Sequence, residues 1–372
     1  MSKKQWILGL VVLAALIGLV LWGRGRLHFD FGHFWMQFTT ADWRRMAIAL
    51  GCIYAGYALR SARWALLLRH NQRVPLLSLT GTQVIGFTGV ALIGRVADLV
   101  RPYLVAKKTG LPLSSQIAVY IVERLFDMGS MALILSIALV SVPEADLLKA
   151  IDRSAMLSYV VHHESRGFAL FIFRYSGLIL TLIGALFLAG VRWSGEVLAS
   201  FCEHVLGLAS KRAGRAVGAK IRAFRTGLDT MRSFGDFAAT ASLSLVMWGL
   251  ITTSYLQIMH AFVASPPLAT ISFSKCVLLM VVSGGASVIQ LPVLGWFSQI
   301  GIVAAVIAGF FGVPLEPATA CAASLLLITF LGIVPVGLVW AQIDNVSLRK
   351  IAVQSEHAEE LADNAVPGNV VN

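Results

Sequence analysis

Long apolar runs, repeated along a chain that carries few charges, constrain this sequence more than any other feature. They fall at residues 6–22, 46–68, 115–142, 168–191, 237–263, 274–291, 297–313 and 317–341. Each reaches the ~17–25 residues that an α-helix needs to cross the hydrocarbon core. Backbone polar groups in lipid must be satisfied within the segment, so runs of this kind span as helices. A further apolar piece, 77–105, is anomalous: it is nearly uncharged as far as Leu92, then carries Arg95, Asp98 and Arg101 before Pro102. The expected fold is an all-α polytopic membrane protein, with about eight transmembrane helices plus a re-entrant or broken-helix segment.

Composition agrees. Only 13% of residues are Asp, Glu, Lys or Arg and 57% are hydrophobic, against about 25% charged in a soluble domain. The mean hydropathy is +0.78. A water-soluble enzyme lacks the polar groups to cover its surface, and a disordered chain would not be so apolar. The net charge of +11 is first the imprint of the positive-inside rule and second an attraction to anionic lipid heads; no nucleic-acid partner is expected. Cys52, Cys276 and Cys321 sit in apolar runs and Cys202 in a basic loop, without CxxC or Cys/His spacing. Neither a disulfide framework, a metal site nor a cofactor is indicated.

Lys3 and Lys4 precede the first run, and no small-x-small cleavage site separates it from Gly23-Arg24-Gly25-Arg26, so it reads as a retained span. Arg60 and Arg63 close the second run, Arg69 and Arg73 follow it, and the 192–236 loop carries eight Lys or Arg residues. This places those loops and both termini in the cytoplasm, although Arg24, Arg26, Arg44 and Arg45 then lie outside. Residues 1–341 form one transmembrane domain, and the polar tail 342–372 is expected to be disordered. Within the 192–236 loop, Ile221, Phe224, Leu228 and Met231 recur at helical spacing with basic residues on the other faces. That is a basic amphipathic helix, suited to an anionic leaflet. Phe31, Phe34, Trp35 and Phe38 suggest an interfacial aromatic helix.

Two places interrupt apolar runs in similar terms. The first reads Gly86-Phe87-Thr88-Gly89, then Arg95 to Pro102; the second reads Ser283-Gly284-Gly285-Ala286-Ser287, then Gln290-Leu291-Pro292 to Gly295. Broken helices at corresponding positions of two halves suggest an internal inverted repeat and mark a transporter's central site. The glycines alternatively serve only to let helices pack closely.

Charges within apolar segments cost ~2.5–3.5 kcal/mol each on insertion scales, so clusters of them call for a use. Arg95, Asp98 and Arg101 are spaced i, i+3, i+6. One carboxylate cannot neutralise two guanidiniums, and the spare N–H donors suit a phosphate. Glu123 and Asp127 are i, i+4, with Arg124 about 100° round the helix. Arg95 or Arg101 is the natural partner for these carboxylates, and a purely structural salt bridge between helices remains the plainer reading. Arg60 and Arg63-Trp64 read as ordinary interface anchors, Arg174 as a snorkelling residue, and His162 and His163 as solvent-facing.

Arg95-x-x-Asp98-x-x-Arg101-Pro102, then Gly110, then Glu123-Arg124-x-x-Asp127, resembles the signature of the lysylphosphatidylglycerol synthase transmembrane-domain family. That family includes the flippase domain of the multiple peptide resistance factor. Its usual first motif is similar to Pro-x-Arg-x-Gly-Glu-x-x-Arg; here Ile93, Ala97 and Asp98 replace the proline, glycine and glutamate. Its second-half motif ends in Glu, where this chain has Gln299. If that acid carries protons or a cationic head in relatives, this protein has lost the role or takes another substrate. The resemblance implies translocation of membrane lipids with an anionic or phosphate-bearing headgroup between leaflets of the bacterial inner membrane. Arg95, Asp98, Arg101, Glu123, Arg124, Asp127 and Gln299 would bind substrate, and Gly86, Gly89, Gly284, Gly285, Pro292 and Gly295 would break the helices around it. The tail after Ala341 is too short for the family's soluble aminoacyl-transfer domain, so no enzymatic activity is expected. The alternatives are a membrane-embedded transferase on phospholipid or polyprenyl-phosphate, and a non-catalytic subunit for envelope assembly.

Overall fold

The structure, a computed structural model, describes residues 29–142, 166–210, 214–215, 217–218, 233–286 and 294–346. Outside the described residues lie the expected first span 6–22, His162 and His163, the amphipathic positions Ile221 to Met231, Pro292 and the tail beyond Val346. Among the described residues every regular element is helical.

Asp30 and Asp42 open the first two helices, α1 (Phe31–Thr39) and α2 (Trp43–Leu68), each accepting hydrogen bonds from two first-turn backbone N–H groups. Then come α3 (Leu76–Ile93), a 3₁₀ turn (Arg95–Leu99), α4 (Val100–Thr109), α5 (Leu113–Val140) and α6 (Arg166–Ala209), which is non-helical at Ser194. The second half holds α7 (Phe234–His260), α8 (Pro266–Ala269), α9 (Phe273–Ala286) and α10 (Leu294–Phe311). It continues with α11 (Leu315–Thr329), a 3₁₀ turn (Leu331–Ile333) and α12 (Val334–Ile343). Among the described residues three stretches are long and apolar enough to cross a membrane: Leu76–Ile93, Phe234–His260 and Leu315–Ile343. Two shorter apolar helices, Phe273–Gly285 and Gly295–Phe311, accompany them. Large apolar side chains such as Leu182, Leu186, Phe310 and Leu327 are exposed, a liability in water but an ordinary lipid contact.

α2 and α7 form the spine and run antiparallel. Asp42 N donates to Ala261 O, Arg45 to Gln257 and Arg63 to Ser244, so the partner number falls as the α2 number rises. Beside them α9, α10 and α11 close a core of Met259, Cys276, Met280, Ile307 and Ala318.

The helix break in the first half is not where the glycine pair suggested. α3 runs unbroken through Gly86 and Gly89, and the chain turns at Gly94, whose φ is 96° and ψ −167°. Only glycine occupies that region readily. Gly86 and Gly89 serve close packing instead: α4 folds back along α3, so Gly89 meets Ala97 and a Cβ at Gly86 would overlap Arg101 Cγ. In the second half α9 stays helical through Gly284 and Gly285, and Gly295 already lies in α10. Residues 287–293, with Pro292, lie outside the described residues, and α9 packs on α10 as α3 packs on α4.

Candidate functional site

α5 presents Glu123, Arg124 and Asp127 toward α2, and what faces them is a second arginine pair. Arg63, 1% exposed, donates from Nη2 to Glu123 Oε1 at 2.6 Å and from Nη1 to Asp127 Oδ1 at 2.7 Å. The same Nη1 reaches Ser244 Oγ on α7 at 2.6 Å. Arg60, one turn earlier, lies 3.5 Å from Glu123 Oε1 and 3.4 Å from Asp127 Oδ2. Arg124 Nη2 reaches Asp127 Oδ2 at 3.0 Å and Glu123 Oε1 at 3.3 Å, and the Trp248 indole donates to Asp127 Oδ1 at 3.3 Å.

Arg101 enters from α4. It is fully buried, lies over the Phe87 and Tyr120 rings, and donates from Nη1 to Gln83 Oε1 at 3.2 Å and Glu123 Oε2 at 3.4 Å. The expected pairing of Arg101 with Glu123 is present, but the shorter bonds come from Arg63. Arg95 lies in the 3₁₀ turn. Asp98, in the same turn, is half-buried and lines a cavity together with Arg124.

Reading Arg60 and Arg63-Trp64 as interface anchors is therefore corrected. Both arginines are buried, and Trp64, 1% exposed, donates its indole N–H to Gln116 Oε1 at 3.2 Å. The available signal was two guanidiniums one turn apart at the end of an apolar run in a charge-poor chain. Arg174 does not reach this cluster; it donates to the Val140 and Val142 carbonyls and so closes the end of α5.

Counted together, four arginines (60, 63, 101 and 124) surround two carboxylates. Even with Asp98 added, the group keeps an excess of cations. Among the described residues some N–H donors have no partner: Nε of Arg63, Nε of Arg124, and Nε and Nη2 of Arg101. In a low-dielectric interior such orphan donors are costly; of these three arginines only Arg124 also lines the neighbouring cavity.

Beside the cluster lies a cavity of about 230 Å³. Arg60, Asp98 and Arg124 form its charged wall, and Phe87, Val90, Met131, Ile251 and Met280 an apolar band. Tyr255, Ser283 and Gln299 contribute polar but uncharged groups. Both folded-back helix pairs thus reach it, α3 and its turn from one side, α9 and α10 from the other. Gln299 is buried and donates to Ser283 Oγ at 3.3 Å. Arg101 is not among the lining residues. Among the described residues no group of three or more His, Cys, Asp or Glu is placed to hold a metal ion.

Apolar helices of spanning length around a buried cationic cluster and a cavity define an all-helical membrane protein. The chain belongs to the lysylphosphatidylglycerol synthase TM region family, which matches residues 6–337. The family places it among membrane proteins related to lipid handling. Comparison with curated proteins and with solved structures gives no match.

Proposed function

We propose that this protein is a flippase-like carrier, with about eight crossings and both termini cytoplasmic, that moves a phosphate-bearing lipid between leaflets of the bacterial inner membrane without covalent chemistry. One observation carries the reading: an excess of buried guanidiniums at a cavity walled by both folded-back helix pairs. Each such charge is costly in a spanning segment, and carboxylates offset only part of it. A phosphate would complete the balance through charge-assisted hydrogen bonds.

The arginines divide the work. Arg60 and Arg124 face the cavity and would meet the headgroup, while Arg63 and Arg101 hold the carboxylates from behind. At about 230 Å³ the cavity is smaller than the ~300–1,000 Å³ of sites for drug-sized ligands. It suits a headgroup whose acyl chains stay in the bilayer. Rocking of the two folded-back pairs against each other would open it alternately to the two faces.

The test is exchange of acyl-labelled phosphatidylglycerol in proteoliposomes, read by dithionite quenching. Wild type should make inner-leaflet lipid accessible. Joint Arg60→Gln and Arg124→Gln substitution should slow this by about tenfold or more, the equivalent of one lost charge-assisted bond. Mass spectra of the lipids should be unchanged by the incubation. Wild-type exchange no faster than in protein-free vesicles would sink the proposal.

A further inference from the structure

The two walls of the cavity differ in kind. The first folded-back segment, 77–105, carries Arg95, Asp98 and Arg101, whereas residues 276–315 contain no Asp, Glu, Lys, Arg or His at all. That uncharged segment supplies Ser283 and Gln299 to the cavity, and α7 supplies Tyr255. Tyr255 OH donates to Ser283 Oγ at 3.0 Å, and Gln299 Nε2 donates to the same oxygen at 3.3 Å. This group is set apart from the arginines. Trp248, whose indole reaches Asp127, stands seven residues before Tyr255 on α7, which is about 10 Å of helix rise.

We infer that the headgroup bound here is a phosphodiester that ends in an uncharged, hydroxyl-bearing group, as in a glycerol- or sugar-capped phospholipid, and not in an ammonium. The inference rests on the reading of the cavity as a lipid-headgroup site. The phosphate lies at Arg60 and Arg124. Its terminal hydroxyls reach Tyr255, Ser283 and Gln299, a set that offers both donors and acceptors. An ammonium has no stable position. At the arginine wall it meets an excess of like charge, and at the other wall it is desolvated with no carboxylate to pair with. Space is present as well: a Cβ built on Gly284, which adjoins Ser283, would meet nothing within 4 Å.

Binding is read first, independently of transport, as ligand-dependent thermal stabilisation of the full chain in detergent. The probes are dihexanoyl phosphatidylglycerol, phosphatidic acid and lysyl-phosphatidylglycerol, with water-soluble glycerophosphoglycerol alongside. Phosphatidylglycerol should bind at least tenfold more tightly than either of the other lipids. Gln299→Glu should shift the ratio of phosphatidylglycerol to lysyl-phosphatidylglycerol affinity by at least tenfold toward the cationic head. Ser283→Ala should narrow the gap between phosphatidylglycerol and phosphatidic acid. Equal or tighter binding of the lysyl lipid, or equal binding of phosphatidic acid, overturns the inference, and neither result needs a variant. If the expected order appears but no lipid exchanges between leaflets, the inference stands and the carrier reading falls. If glycerophosphoglycerol matches the lipid, the headgroup chemistry stands and its source is the aqueous phase.

Discussion

Arg63→Met removes the guanidinium that makes the shortest contacts to Glu123 and Asp127 while keeping an unbranched side chain of similar length. Both contacts, at 2.6 and 2.7 Å, are worth on the order of 6 kcal/mol each at an effective dielectric of ~20. Two terms offset that loss: repulsion from Arg60, Arg101 and Arg124 is relieved, and those three remain within 3.0–3.5 Å of one or both carboxylates. The result falls in the range of about 3–5 kcal/mol for breaking a buried ion pair from one side. At about 2 °C per kcal/mol, the unfolding midpoint in detergent should fall by about 6–10 °C. Arg124→Met is the control. Its side chain is 33% exposed, and its loss lowers the cation excess, so it should cost only about 1 kcal/mol. Circular dichroism melts of the two variants decide the matter. Equal losses, or an Arg63 loss under ~1 kcal/mol, would mean that the cluster is a set of independent solvated charges, refuting the geometry on which the functional reading depends.

Three further substitutions probe the framework. Gly86→Val puts a branched side chain where Arg101 lies; it should lower the melting midpoint and weaken phospholipid binding together, through displacement of Arg101. Gly94→Ala forces a Cβ into a region reserved for glycine and should cost about 1–3 kcal/mol, seen as earlier proteolysis within 93–100 on warming. Asp42→Ala removes the acceptor for two orphan N–H groups at the start of α2 and should cost about 1 kcal/mol in the same melts, with lipid binding unchanged.

The all-helical class was legible because spanning length and hydropathy are local properties. Gly94, by contrast, could not be ranked above Gly86 and Gly89 from the sequence. A glycine inside a helix costs only ~1 kcal/mol relative to alanine, so composition does not tell a break from a close contact; the difference lies in which helix passes by. The carboxylates of α5 were recognisable as needing cations for the same local reason, two like charges one turn apart. Their partners were not. Arg60 and Arg63 lie some sixty residues away, and only the packing of both α2 and α5 against α7 brings them in. Gln299 was found through its motif, but its partner Ser283 depends on α9 meeting α10.

That placement also changes how the basic residues bear on orientation. The positive-inside rule counts residues in loops, and guanidiniums locked to carboxylates within the helix bundle carry no such information. Arg60, Arg63 and Arg101 therefore leave the count. On the side assigned to the cytoplasm Lys3, Lys4, Arg69, Arg73, Lys107, Lys108, the eight basic residues of 192–236, Arg349 and Lys350 remain; on the other side Arg24, Arg26, Arg44, Arg45, Lys149, Arg153 and Arg166 remain. Arg45 is partly engaged by Asp42 and Gln257. The orientation argument thus rests chiefly on the 192–236 loop. The +11 balance combines two quantities with different causes: a loop charge that bears on topology, and an excess of guanidiniums buried within the helix bundle.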